Sequence, residues 1–160
     1  MLQVPIKGLQ LRPLITHQDE RGSLYETYSD AWTFDAIPMV HTYVVTIRPG
    51  QTKGWALHQQ QTDRYCFLNG ATKLVLFDAR ADSVTQGNLY VQVFSEINRH
   101  LVSVPPGIWH ALENIGSSES QLFNFPSAAY NYSSPDKLIL PLANSTIPYQ
   151  NFRCISDCHP

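Results

Sequence analysis

The feature that most constrains this chain is a rhythm: short runs of Val, Ile, Leu, Tyr and Phe, broken by Gly, Pro, Asn or Asp about every 8–12 residues. Runs of this length are too short for most helices, and β-branched and aromatic side chains suit a pleated, half-buried surface. They fall at residues 24–28, 41–47, 55–58, 64–68, 72–77, 89–94, 101–104, 110–114 and 121–125. In the second of these, His41, Tyr43, Val45 and Ile47 share one face before Pro49-Gly50 ends the run. Asn69-Gly70, between residues 64–68 and 72–77, has the composition of a two-residue hairpin turn. Eight or more strands with little helix predict an all-β double-sheet jelly-roll barrel, an architecture that protects its sheet edges by folding two sheets together. Ser134-Pro135-Asp136 has the composition of a short helix start, and no pattern is visible after Pro148.

At 160 residues the chain reads as a single domain, 1–160, with enough length to bury a core without disulfides or metals. A net charge of -2 argues against a nucleic-acid footprint and against an electrostatically held membrane surface, so the expected partner is a small molecule. No run approaches the roughly 20 apolar residues of a membrane span, and Lys7, Arg12, His17, Asp19, Glu20 and Arg21 interrupt any leader-like stretch, which makes the cytoplasm the expected location. Cys66 lies in a strand pattern and reads as an inert buried thiol. Cys154, Cys158 and His159 read as a frayed terminus rather than a zinc site.

The residues that carry chemistry begin with Val104-Pro105-Pro106-Gly107-Ile108-Trp109-His110-Ala111-Leu112-Glu113-Asn114, which spells P-x-G-x-x-H-x-x-x-N. A Pro/Gly turn aims the strand bearing His110 into a barrel mouth, Asn114 closes its far end, and Trp109 points to the opposite face. The motif resembles the second signature of the cupin barrels. In metal-binding cupins the first signature supplies H-x-H and a nearby Glu; here it reads His58-x-Gln60, with Asp63-Arg64 in the region of the Glu. An amide in place of one imidazole speaks against a tight transition-metal site, so no metal is expected.

One histidine per signature points to the deoxysugar nucleotide enzymes, and the chain resembles the dTDP-4-dehydrorhamnose 3,5-epimerase family. Asp19-Glu20-Arg21-Gly22-Ser23-Leu24-Tyr25-Glu26 is similar to the family's D-x-R-G-x-(F/L)-x-E element, and Ala79-Arg80 with Ser83, Thr85 and Gly87 is similar to its R-x-x-S-x-T-x-G loop. Tyr130, followed by Ser134-Pro135-Asp136-Lys137-Leu138-Ile139, resembles its tyrosine segment, although Tyr132 is an alternative alignment. The resemblance implies cofactor-independent epimerisation of a carbon beside the C4 ketone of a sugar nucleotide. It casts His58 as the base, Tyr130 as the acid on the opposite ring face, and His110 as the group that stabilises the enolate. It also implies that Arg21 reaches the diphosphate from the neighbouring subunit of a homodimer and that Glu26 contacts the nucleotide base end. Gln60, Lys53 and Arg64 complete the expected substrate contacts.

The chain departs from the family at three places. Trp55-Ala56-Leu57 precedes His58 without the family's arginine, for which Lys53 is the candidate replacement. Arg64 is the cation nearest the position of the family's lysine. Ile155-Ser156-Asp157-Cys158 matches poorly the C-terminal element whose Asp orients the base. These departures leave open a non-catalytic cupin that binds a sugar nucleotide. A 3,4-ketoisomerase remains a further alternative, as does a metal-dependent cupin.

Overall fold

The computed structural model describes residues 6–153. Among these there is no helix, and two five-stranded antiparallel sheets face one another, with a small hairpin beside them. The strands are β1 (Gln10–Pro13), β2 (His17–Asp19), β3 (Gly22–Leu24), β4 (Tyr43–Ile47), β5 (Thr52–Leu57), β6 (Asp63–Asn69), β7 (Thr72–Asp78), β8 (Leu89–Phe94), β9 (His100–Val104), β10 (Ile108–Asn114), β11 (Ser120–Asn124) and β12 (Leu138–Ile139). The first sheet has the order β1-β9-β6-β11-β4 and the second β12-β5-β10-β7-β8, while β2 pairs with β3. This is the all-β jelly roll that the strand rhythm predicts.

The core lies between the sheets, where Ile47, Tyr65, Phe67, Leu74, Leu76, Val102, Val104, Ile108, Leu112 and Leu122 form one buried cluster. Full burial of an aliphatic or aromatic side chain contributes about 1.5–3 kcal/mol, so these positions together dominate the stability. The outer face of the second sheet is not left to solvent either. Residues beyond β12, including Leu140, Ile147, Tyr149 and Phe152, fold back over Trp55, Val75, Phe77 and Trp109. Tyr149 and Phe152, in a stretch patternless as a sequence, thus serve as part of a cover.

Three local expectations need correction. Asn69-Gly70 does not close a hairpin: β6 pairs with β9 and β11, whereas β7 pairs with β10 and β8, so the turn carries the chain from one sheet to the other. Gly70 adopts φ 75°, and a Cβ there would stand 2.8 Å from the Ser120 Cα, which is why glycine holds this crossing. Residues 134–136 form no helix, because the Asp136 carboxylate is engaged with backbone amides of another segment rather than with a turn of its own. The run at 24–28 keeps only Leu24 in a strand; Tyr25 and Tyr28 pack instead with Trp32 and Phe34 against the outer face of the first sheet.

One irregularity shapes the interior. Across β5 and β10, His110 pairs with Ala56 but Leu112 pairs with Lys53, so β5 holds one extra residue between its partners. A bulge of this kind changes side-chain parity. It brings Lys53 to the same face as Ala56 while Trp55 joins the outer cluster. Gly54 permits the close approach, since a Cβ at that position would lie 2.7 Å from the Ala111 Cα.

Candidate active site

A cavity of about 230 Å³ opens between the sheets, lined by residues of β4, β5, β6, β10 and β11 together with Lys137. His58 follows β5 directly, and His110 lies in the middle of β10. The two signatures meet through the backbone, because the Gly107 amide at the Pro/Gly turn donates to the His58 carbonyl at 2.7 Å. Asn114 closes the far end of β10, donating to the carbonyls of Ile47 at 2.7 Å and Ser118 at 2.8 Å and accepting from the Gly116 amide. The imidazoles of His58 and His110 stack with ring centroids 5.6 Å apart.

Between them stands Asp63. Its Oδ2 lies 3.4 Å from His58 Nε2 and 3.6 Å from His110 Nε2. Tyr65 donates its hydroxyl to the same oxygen at 2.8 Å, while Asn124 at 2.9 Å and Gln61 at 2.8 Å donate to Oδ1. Burial alone would raise the Asp63 carboxyl, but the facing imidazoles and the donors Asn124 and Tyr65 outweigh it and hold the group below its usual range. Burial in turn pushes His110 below the ordinary imidazole value, against the pull of Asp63. The Tyr65 phenol is driven up by burial and by the adjacent carboxylate, so it remains a donor.

Each imidazole turns its other nitrogen to a backbone carbonyl. His58 Nδ1 bonds the Asp136 carbonyl, and His110 Nδ1 lies 3.3 Å from the Ile108 carbonyl. A carbonyl only accepts, so these nitrogens carry the ring protons, leaving the Nε2 lone pairs turned toward the cavity. The Nε2 atoms and a carboxylate oxygen of Asp63 all lie within 4.8 Å of one another, a spacing that also fits a divalent transition ion.

Of the remaining residues singled out by sequence, Lys53 lines the cavity. Gln60 bonds Asp136 only through its backbone amide, and the residue is exposed. Tyr130 is 47% exposed, packs edge-on against Tyr132 with centroids 4.8 Å apart, and lies close enough to Tyr43 to act on its phenol electrostatically. Arg21 and Glu26 do not line this cavity. Arg21 sits at the tip of the β2–β3 hairpin and pairs with Asp19 rather than with Glu26, which lines a separate concavity with Arg12, Leu24 and Trp32.

Arg64 is corrected. Its pleat position alternates with Asp63 and Tyr65, which sends it through the opposite face of the sheet, where it is wholly buried. There its guanidinium donates to the carbonyls of Phe125, Ile37 and Pro38 at 2.8, 2.7 and 3.0 Å, so it fastens the 25–38 segment and does not reach the cavity. Sequence reasoning sets Asp63 in the region of the cupin Glu without a catalytic role, and it gives Tyr65, Asn124, Tyr43 and Lys137 no place in the site. The alternation Asp63-Tyr65-Phe67 on one face of β6 was the available clue; Asn124 and Lys137 carried none. The Cys66 thiol, on the same outer face as Arg64, is buried and pushed up to about 12, as suits an inert position. Cys154, Cys158, His159 and the 155–158 element lie outside the described residues.

The polysaccharide biosynthesis C-terminal domain family matches residues 17–138. A probable low-salt glycan biosynthesis epimerase of Haloferax volcanii is 32% identical over 137 residues, spanning 85% of this chain and 88% of that protein. Among solved structures, a dTDP sugar isomerase from Desulfovibrio desulfuricans superimposes with a TM-score of 0.82 at 22% identity, covering 91% of each chain. A dTDP-4-dehydrorhamnose 3,5-epimerase from Bacillus anthracis superimposes with a TM-score of 0.78 at 18% identity, over 92% of this chain and 87% of that one.

Proposed function

Because this chain belongs to the polysaccharide biosynthesis C-terminal domain family and has the fold of the dTDP-sugar epimerases, we propose that it is a sugar-nucleotide epimerase acting beside a 4-keto group without a cofactor. The observation that carries the reading is the convergence of His58 Nε2 and His110 Nε2 on one carboxylate inside a cavity. His58 Nε2 takes the proton alpha to the ketone; the C–H bond breaks, an N–H bond forms, and the electron pair moves through the new C=C bond onto the ketone oxygen. His110 stabilises that enolate by donating from Nε2 in its doubly protonated form, which the facing Asp63 carboxylate favours against burial. Tyr130 returns a proton from the opposite face, which inverts the carbon. Asp63 stabilises the imidazolium formed at His58 without itself taking a proton.

Lys53 and Lys137 face the cavity and supply positive charge for the diphosphate. As part of the same reading, the protein works in the cytoplasm as a homodimer of single-domain subunits. The partner's hairpin brings its arginine, the counterpart of Arg21, to the diphosphate, and Glu26 meets the nucleotide base end. Among the described residues, no helix is long and apolar enough to cross a membrane.

The test is incubation with dTDP-4-keto-6-deoxyglucose in heavy water, followed by mass spectrometry. Deuterium beside the ketone, lost in His58→Gln, is the expected result; measurable binding with no deuterium uptake would replace the enzyme by a ligand-binding cupin. The spacing of the Nε2 and carboxylate atoms favours a second reading, in which His58, Asp63 and His110 hold a divalent ion. Exchange that survives exhaustive chelation rejects that reading.

A further inference from the structure

The family's C-terminal Asp has no clear counterpart in this sequence, yet His58 is not left without an orienting partner. Asp136, just before β12, contacts the first signature at four points. Its Oδ1 accepts the Gln59 amide, and its Oδ2 accepts those of Gln60 and Gln61, each at 2.9 Å. Three consecutive N–H groups around one carboxylate form an anion nest, whose donors would otherwise need water. The fourth point is the Asp136 carbonyl, which accepts from His58 Nδ1. The β5–β12 pairing, Leu138 with Leu57 and Ile139 with Ala56, continues these contacts and brings Lys137 beside the same cavity.

We propose that Asp136 is the positioning residue for the His58 base: its carboxylate pins the 59–61 turn, and the carbonyl of the same residue then holds Nδ1 as the ring donor and turns the Nε2 lone pair into the cavity. One residue thus sets both the place and the tautomer of the base. The device differs from a catalytic dyad of two side chains because the acceptor is main chain, and the side chain acts only by keeping that carbonyl in reach. The catalytic consequence rests on the epimerase reading above; the tautomer does not.

The test compares Asp136→Ala and Asp136→Asn with the wild type by solvent-deuterium exchange and by ¹⁵N–¹H NMR of the ring nitrogens, with His58 assigned from the His58→Gln spectrum. The wild type is expected to show the Nδ1–H tautomer at His58. Asp136→Ala should mix the two tautomers and lower kcat about a hundredfold with KM changed less than about threefold, since a wrongly presented imidazole costs rate rather than binding. Asp136→Asn keeps one acceptor oxygen for the amides and should recover about tenfold of the loss. An unchanged His58 tautomer in folded Asp136→Ala, or kcat within about threefold of the wild type, overturns the proposal. If the wild type exchanges no deuterium, the epimerase reading fails, and the NMR comparison alone decides the role of Asp136.

Discussion

Two buried carboxylates, those of Asp63 and Asp78, sit in contrasting surroundings. Asp78, at the end of β7, accepts from Arg80 at 2.8 Å and from the hydroxyls of Ser83 and Thr85 at 2.6 Å each. Burial opposes its ionisation, but Arg80 and the two hydroxyls overcome that and hold the carboxyl well below the usual range. Asp63 accepts from Gln61, Tyr65 and Asn124 but faces two imidazoles across a cavity. A guanidinium never gives up its proton, so Asp78 ties a loop and does nothing more. An imidazole can change charge during a reaction, so the carboxylate beside it can act on that change. The partner's ability to titrate, rather than the depth of burial, separates a structural carboxylate from a functional one.

This comparison breaks most sharply at Asp63. Asp63→Asn should fold yet lower deuterium exchange about a thousandfold, because the charge that stabilises an imidazolium is gone. Exchange within about tenfold of the wild type would make Asp63 no more than a second Asp78. Asp78→Asn should behave in the opposite way. It leaves Arg80 without its counter-ion, costing about 2 kcal/mol after allowance for the partly exposed guanidinium, or about 4–8 °C in Tm. Exchange per folded molecule should stay within about twofold, and calorimetry together with the exchange assay checks both halves.

The smallest effect is a difference in pH windows. Burial lowers the His110 imidazole, so its folded value lies below 6.5, and the unfolded chain binds the extra proton first as pH falls. Stability therefore declines on acidification from about pH 6.5, and His110→Gln should remove that decline. Asp78 has a folded value below its ordinary 3.8, so its contribution is present above that pH and is lost further down. Asp78→Asn should flatten only this lower limb in urea titrations across pH. Coincident loss of both limbs in either variant would mean that the two sites are coupled.

Much of the barrel was legible because period-two alternation and turn residues are local: Tyr43, Val45 and Ile47 announce one face of a strand without any knowledge of its neighbours. His58 and His110 were legible for a similar reason, each lying within a short signature. Arg64 was misplaced because charge was weighed before parity; the pleat that turns Tyr65 and Phe67 inward turns Arg64 out. Asn69-Gly70 misled because its turn chemistry is correct while its strand partners are set by distant segments. The link from Asp136 to His58 spans 78 positions and uses a main-chain carbonyl, which no side-chain pattern announces.

The sheet-to-sheet crossing at Gly70 has a kinetic consequence. Because β6 and β7 are adjacent in the chain but unpaired, the stretch holding His58 and Asp63 cannot zip up locally, and its partners β9, β10 and β11 arrive only later in synthesis. Such non-local topologies fold in milliseconds to seconds rather than microseconds. The pocket is therefore among the last features to exist in a nascent molecule, and a chain arrested at residue 114 would carry both signature histidines with only part of the barrel around them.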